Sequence, residues 1–60
     1  MTNTEALTLA LKLAIQAPTE ENSQEALEYA KNIAASMSSK DVELCKMAAQ
    51  AAVEYEAQYA

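Results

Sequence analysis

The sequence predicts an all-α domain, either an up-down-up three-helix bundle or a helical hairpin with an additional packed helix. Ala, Leu, Glu, Lys and Gln dominate the composition, and these residue types favour helices. Gly is absent from the sequence, and the single proline, Pro18, separates two long helical patterns. The connections are short, so consecutive helices are expected to be antiparallel neighbours within one domain, residues 1–60.

The first helix is predicted over about residues 5–17. Thr2 and Glu5 have the spacing of a capping box, in which the hydroxyl and the carboxylate each satisfy a free backbone donor. Pro18 ends the helix, because the residue before a proline disfavours helical backbone angles. Most of the helix surface is apolar, which predicts that it is covered on two sides. The remaining side chains form one polar stripe: Glu5, Thr8, Lys12 and Gln16.

The second helix is predicted over about residues 20–37, with Thr19 or Asn22 as its N-cap. Its apolar residues recur with helical periodicity and face one way: Ala26, Leu27, Tyr29, Ala30, Ile33, Ala34 and Met37. An acidic patch lies towards its start: Glu20, Glu21, Glu25 and Glu28. These carboxylates are interpreted either as a solvated helix start that suits the helix dipole, or as a negative patch that docks a basic surface.

The third helix is predicted over about residues 39–59, with Ser38 as its N-cap. Met37 and Val42 have the spacing of a hydrophobic staple. The predicted apolar face of this helix consists of Leu44, Cys45, Ala48, Ala52, Tyr55 and Tyr59, with Val42, Ala49 and Val53 on its flank. Met47 is predicted to lie among the polar residues on the opposite, solvated face.

The composition excludes most catalytic chemistry. Histidine is absent, so the chain holds neither a Ser-His-Asp nor a Cys-His arrangement. Cys45 is the only cysteine, which leaves no zinc site and no internal disulfide. Phosphate-binding loops require glycine. We therefore expect no enzymatic activity, no cofactor and no metal.

Charge and hydropathy predict the environment of the protein. Nine acidic residues against four lysines give a net charge of −5, which argues against direct binding of nucleic acid. The longest apolar stretch is interrupted by Lys12 and is shorter than the roughly 20 residues that span a membrane. A single cysteine fits a reducing compartment. We expect a soluble, cytoplasmic protein without a membrane partner.

The apolar side chains predict a protein partner or self-association. Fourteen residues are alanine, so the core is small for an independent domain. The first hypothesis is a small acidic protein-binding module with the following contacts: Leu9, Leu13, Met47, Tyr55 and Tyr59. The alternative is an obligate homo-oligomer assembled through the first helix, whose Ala6, Ala10 and Ala14 allow close helix packing. A minor alternative is an acidic mimic of DNA.

The order of these segments resembles small uncharacterised proteins of bacteriophages, including phages of marine cyanobacteria. The resemblance is carried by Ala6-Leu7 through Ala17-Pro18-Thr19-Glu20, Ala26-Leu27 through Ile33-Ala34, and Ser38 through Val42-Glu43. It implies a phage-encoded protein that binds a host or viral protein in the host cytoplasm without catalysis. It implies no particular functional residues.

Overall fold

A computed structural model describes residues 1–59, and Ala60 of the predicted domain lies outside them. The chain forms α1 (Asn3–Gln16), α2 (Glu20–Ala34) and α3 (Ser39–Tyr59). No strand occurs within residues 1–59. The predicted all-α three-helix fold is confirmed.

The first helix is the centre of the bundle. α1 packs against both α2 and α3, whereas α2 and α3 barely touch each other. Thr4 on α1 accepts a weak hydrogen bond from the thiol of Cys45 on α3, and Lys12 forms an ion pair with Glu56 further along both helices. α1 and α3 therefore run in the same direction, with α2 antiparallel to them. The prediction that the apolar first helix is covered on two sides is confirmed.

The start of α1 is set by its capping box. The backbone N–H of Glu5 donates to Thr2 Oγ1 at 3.1 Å, and the backbone N–H of Thr2 donates to Glu5 Oε1 at 3.3 Å. Because Thr2 is the cap, the helix begins at Asn3 rather than at residue 5. It ends at Gln16, since Ala17 is already extended before the proline, with φ −61° and ψ 135°.

The second helix starts as predicted but ends earlier. Thr19, rather than Asn22, is the N-cap, because Thr19 Oγ1 accepts a hydrogen bond from the backbone N–H of Asn22 at 3.2 Å. The helix ends at Ala34 and not at residue 37. Beyond it the backbone N–H of Met37 donates to the Ala34 carbonyl at 3.0 Å, which closes a turn in place of further helix. The turn reverses the chain into α3.

The third helix has the predicted bounds but a different inward face. Ser38 is its N-cap, and its hydroxyl accepts from the backbone N–H of Asp41 at 3.2 Å. The residues that face α1 are small or half-buried: Val42, Cys45, Ala49, Ala52, Val53 and Glu56. Four residues predicted on the packed face are exposed instead: Leu44, Ala48, Tyr55 and Tyr59. That part of the prediction is wrong, because close approach to α1 favours small side chains at the contact.

The core lies where the three helices meet near the α2–α3 turn. Its fully buried members are Leu7, Ala10, Ala30 and Cys45. Leu11, Ile33, Ala34, Met37 and Val42 pack against them and are partly buried. Only Leu7 and Cys45 among the buried side chains are larger than alanine, so the core provides little apolar burial.

Candidate protein-binding surfaces

A continuous apolar strip follows a solvent-exposed flank of α3, beside the face that packs on α1. We call it the outer α3 face, and it consists of Leu44, Met47, Ala48, Ala51, Tyr55 and Tyr59. These residues recur at intervals of three and four, so they line one side of the helix over about 22 Å. The four large side chains are between 54% and 69% exposed. A strip of this length and character is typical of an interaction surface.

The outer α3 face ends in a pair of aromatic rings. The ring centroids of Tyr55 and Tyr59 lie 4.6 Å apart with an interplanar angle of 38°. Contact between the two rings restricts their rotamers before any partner binds. Tyrosine side chains that are ordered in advance suit an interface, because little side-chain entropy is then lost on binding.

A polar cluster on the inner side of α3 anchors the same part of the helix to α1. The Glu56 carboxylate accepts from Lys12 Nζ and, at 2.8 Å, from Gln16 Nε2. The hydrogen bond from Lys12, with a smaller contribution from Gln16, holds the pKa of Glu56 below its ordinary value of 4.5. Sequence reasoning missed this cluster. The available signal was Glu56 itself, an acidic residue that continues the helical spacing of Cys45 and Ala49.

A second apolar surface lies between the first two helices. We call it the α1–α2 groove, with a volume of about 260 Å³ and Leu9, Leu13, Ala26, Tyr29 and Ile33 among its lining residues. Leu9 is 43% exposed, and Tyr29 is exposed although the sequence placed it on the packed face. Tyr29 is therefore exposed in the α1–α2 groove, although it was not among the five residues predicted to contact a partner.

A shallow cleft separates α2 from α3 on the third side of the bundle. Its volume is about 270 Å³, and its floor is formed by Leu11, Ala14 and Ile15 of α1. Ser23 lies at its edge, and its hydroxyl donates to the carbonyl of Ala14 at 2.9 Å. The cleft exists because α2 and α3 pack on α1 and barely touch each other.

The structure divides the five predicted contact residues between two surfaces. Leu9 and Leu13 lie in the α1–α2 groove, and Met47, Tyr55 and Tyr59 lie on the outer α3 face. Of the three alanines on which the predicted assembly of the first helix depends, Ala10 and Ala14 are buried within the chain. These two alanines therefore pack against the other helices of the same chain.

The acidic patch lies on the solvated side of α2. Glu20, Glu21, Glu25 and Glu28 are all exposed. None of the four forms an ion pair with another residue in the range 1–59. Glu21, Glu25 and Glu28 border one shallow surface depression, so they form a compact negative surface.

Two further structural features bear on the kind of site this chain can hold. Within the described residues, no three side chains of metal-binding type lie close enough to hold an ion together. None of the helices described here is both long enough and apolar enough to cross a membrane.

The fold and these surfaces define a small all-α bundle with much of its large apolar surface outside the core. Its accessible surface is 4454 Å², against about 3,800 Å² for a compact monomer of this mass. The chain matches no protein-family model, no curated protein and no solved structure. Its surface chemistry is therefore the basis for a functional proposal.

Proposed function

We propose that the protein is a non-catalytic module that binds a partner protein through the outer α3 face. The supporting observation is the strip of four large apolar side chains, each more than half exposed. Tyrosine and methionine are enriched at protein interfaces, and monomers seldom expose long apolar strips without a function. The ion pair between Lys12 and Glu56 joins the same part of α3 to α1.

The proposed mechanism is binding alone. A preformed helix face loses little conformational entropy when a partner covers it, so even a small protein can bind specifically. Once bound, it acts by blocking a surface of the partner or by stabilising one of the partner's conformations. In line with the resemblance to phage proteins, the proposed partner is a host or viral protein in the cytoplasm of the host cell.

A second candidate function is a homo-oligomer assembled through the first helix. The observation that favours it is the exposure of Leu9 and Leu13 in the α1–α2 groove. We expect Leu9→Asp to reduce an oligomer to monomers with helicity retained, as measured by light scattering and circular dichroism. An unchanged mass would remove the groove as an assembly surface.

Site-specific photocrosslinking tests the primary proposal. A photoreactive amino acid replaces Met47 on the outer α3 face and, as a control, Asn32, which is exposed on α2. We expect a discrete crosslinked species from position 47 in cells that produce the protein, and none from position 32. Adding Tyr55→Glu is expected to remove the species. Equal labelling from both positions would refute the assignment of the outer α3 face.

A further inference from the structure

We infer that the occupant of the outer α3 face is the same face of a second copy of this chain, paired antiparallel around Met47. This inference rests on the proposed function, since it names the partner that the face binds. It is supported by three independent properties of the face: its charges, the sizes of its side chains and the area it exposes.

The charged residues beside the outer α3 face attract those of a second copy when the two copies pair antiparallel. Lys40, Met47 and Glu54 are separated by seven residues each, so they lie on one line along the helix. Neither Lys40 nor Glu54 forms an ion pair within the described residues. Antiparallel pairing around Met47 brings Lys40 next to Glu54 of the partner subunit, and symmetry repeats the contact. Parallel pairing would instead juxtapose like charges, which is unfavourable.

The sizes of the side chains are complementary in the same sense. The bulky pair Tyr55 and Tyr59 lies at one end of α3, and the other end begins with Ser39. Antiparallel pairing places the Tyr55 ring at the level of the start of α3 of the partner subunit, because Tyr55 lies eight residues after Met47 and α3 begins eight residues before it. It also brings Leu44 close to Ala51 of the partner subunit, because Leu44 lies three residues before Met47 and Ala51 lies four residues after it. Leu44 then meets a small side chain, as interdigitated helices require.

The exposed area has the size that a modest dimer requires. The chain exposes about 600 Å² more than a compact monomer of its mass would. Small specific interfaces bury about 600 Å² on each partner. Tyr55 and Tyr59, about two-thirds exposed, supply roughly 200 to 300 Å² of this in each chain. The exposed area is therefore sufficient for a small interface between two copies.

Thiol crosslinking tests the orientation. Met47→Cys and Tyr55→Cys are treated separately with a short bis-maleimide, with the wild type as control because its one thiol, Cys45, is buried. Antiparallel pairing predicts a covalent dimer from Met47→Cys alone, since the two copies of position 55 would lie about 24 Å apart. Crosslinking through both positions would indicate parallel pairing. Crosslinking through neither would indicate that the faces do not meet. Either result would overturn the inference.

A charge exchange tests the contact itself. Sedimentation equilibrium across a dilution series gives the dissociation constant for Lys40→Glu, Glu54→Lys and the double variant. Each single change is expected to raise the constant about tenfold, because two symmetry-related attractions become repulsions. The double variant is expected to restore wild-type dimerisation. Failure of the double variant to recover would refute the antiparallel register, since all three variants alter only exposed residues.

The same measurements separate this inference from the proposed function. A wild type that stays at 6.5 kDa at every concentration overturns self-pairing. If position 47 then still crosslinks to a protein of different mass, the binding function stands with another partner. If position 47 crosslinks to nothing, both proposals fail together. A dimeric mass with Met47→Cys crosslinking supports self-pairing, and the partner that the outer α3 face binds is then a second copy of the chain rather than a host protein.

Discussion

Replacing Leu7 with alanine should remove most of the stability of this protein. Leu7 is 1% exposed and is the only large aliphatic side chain in the fully buried core, where Ala10, Ala30 and Cys45 surround it. Truncating a buried leucine costs about 2 to 5 kcal/mol, from the lost transfer free energy and the cavity that remains. The fully buried neighbours are too small to fill the space, and Leu11, Ile33, Met37 and Val42 already pack against the cluster.

The loss expected for Leu7→Ala is large compared with the total free energy of unfolding of the chain. Sixty residues at about 0.05 to 0.15 kcal/mol each give roughly 3 to 9 kcal/mol for unfolding. Leu44→Ala is the matched control, because it makes the same truncation within a helix at a side chain that is 54% exposed. We expect it to cost less than about 1 kcal/mol, since a half-exposed leucine contributes only part of its burial free energy.

Urea unfolding followed by far-UV circular dichroism measures both variants. The experiment is run at the lowest workable concentration, so that any association through Leu44 does not contribute. Leu7→Ala should unfold at much lower urea than the wild type or already be unfolded in buffer. Equal losses for the two variants, or a larger loss for Leu44→Ala, would show that the inward and outward faces have been assigned incorrectly.

Three further expectations concern the cap, the polar cluster and the thiol. Thr2→Ala should cost about 1 kcal/mol in urea unfolding, and no loss would contradict the capping box. The lowered pKa of Glu56 means that its stabilisation is present above pH 4.5 and is lost as the pH falls through the lowered value. Glu56→Gln should therefore unfold with less pH dependence below 4.5, and an unchanged acid profile would contradict this. Cys45 should react with a thiol reagent only as the protein unfolds, and immediate reaction would contradict its burial.

The helices and most of their ends could be predicted because the signals are local. The capping box at Thr2, the extended Ala17 before the proline and the cap at Ser38 depend on residues within three or four positions. The end of α2 was harder to predict. Ala35 to Met37 continue the helical composition, and the turn there depends on α3 folding back onto α1.

The faces of α3 could not be predicted in the same way, because the helix is apolar on two sides. Leu44 and Cys45 differ by one position, which is about 100° of rotation, yet Cys45 is buried and Leu44 is exposed. Counting hydrophobicity favours the larger residue for the core. The deciding factor is the surface of α1, whose alanines allow a close approach that only small side chains on α3 can match.

The core contains mostly small side chains, whereas the outer α3 face carries large apolar ones, and this difference has an energetic consequence for the proposed pairing. Each large apolar side chain contributes about 1.5 to 3 kcal/mol when it is fully buried, and the core holds one such aliphatic residue, Leu7. The outer α3 face holds four, each more than half exposed. Covering them would therefore add apolar burial to that of Leu7 and of the partly buried side chains around it. In the proposed dimer, folding and association are coupled, and the stability of the fold depends on protein concentration.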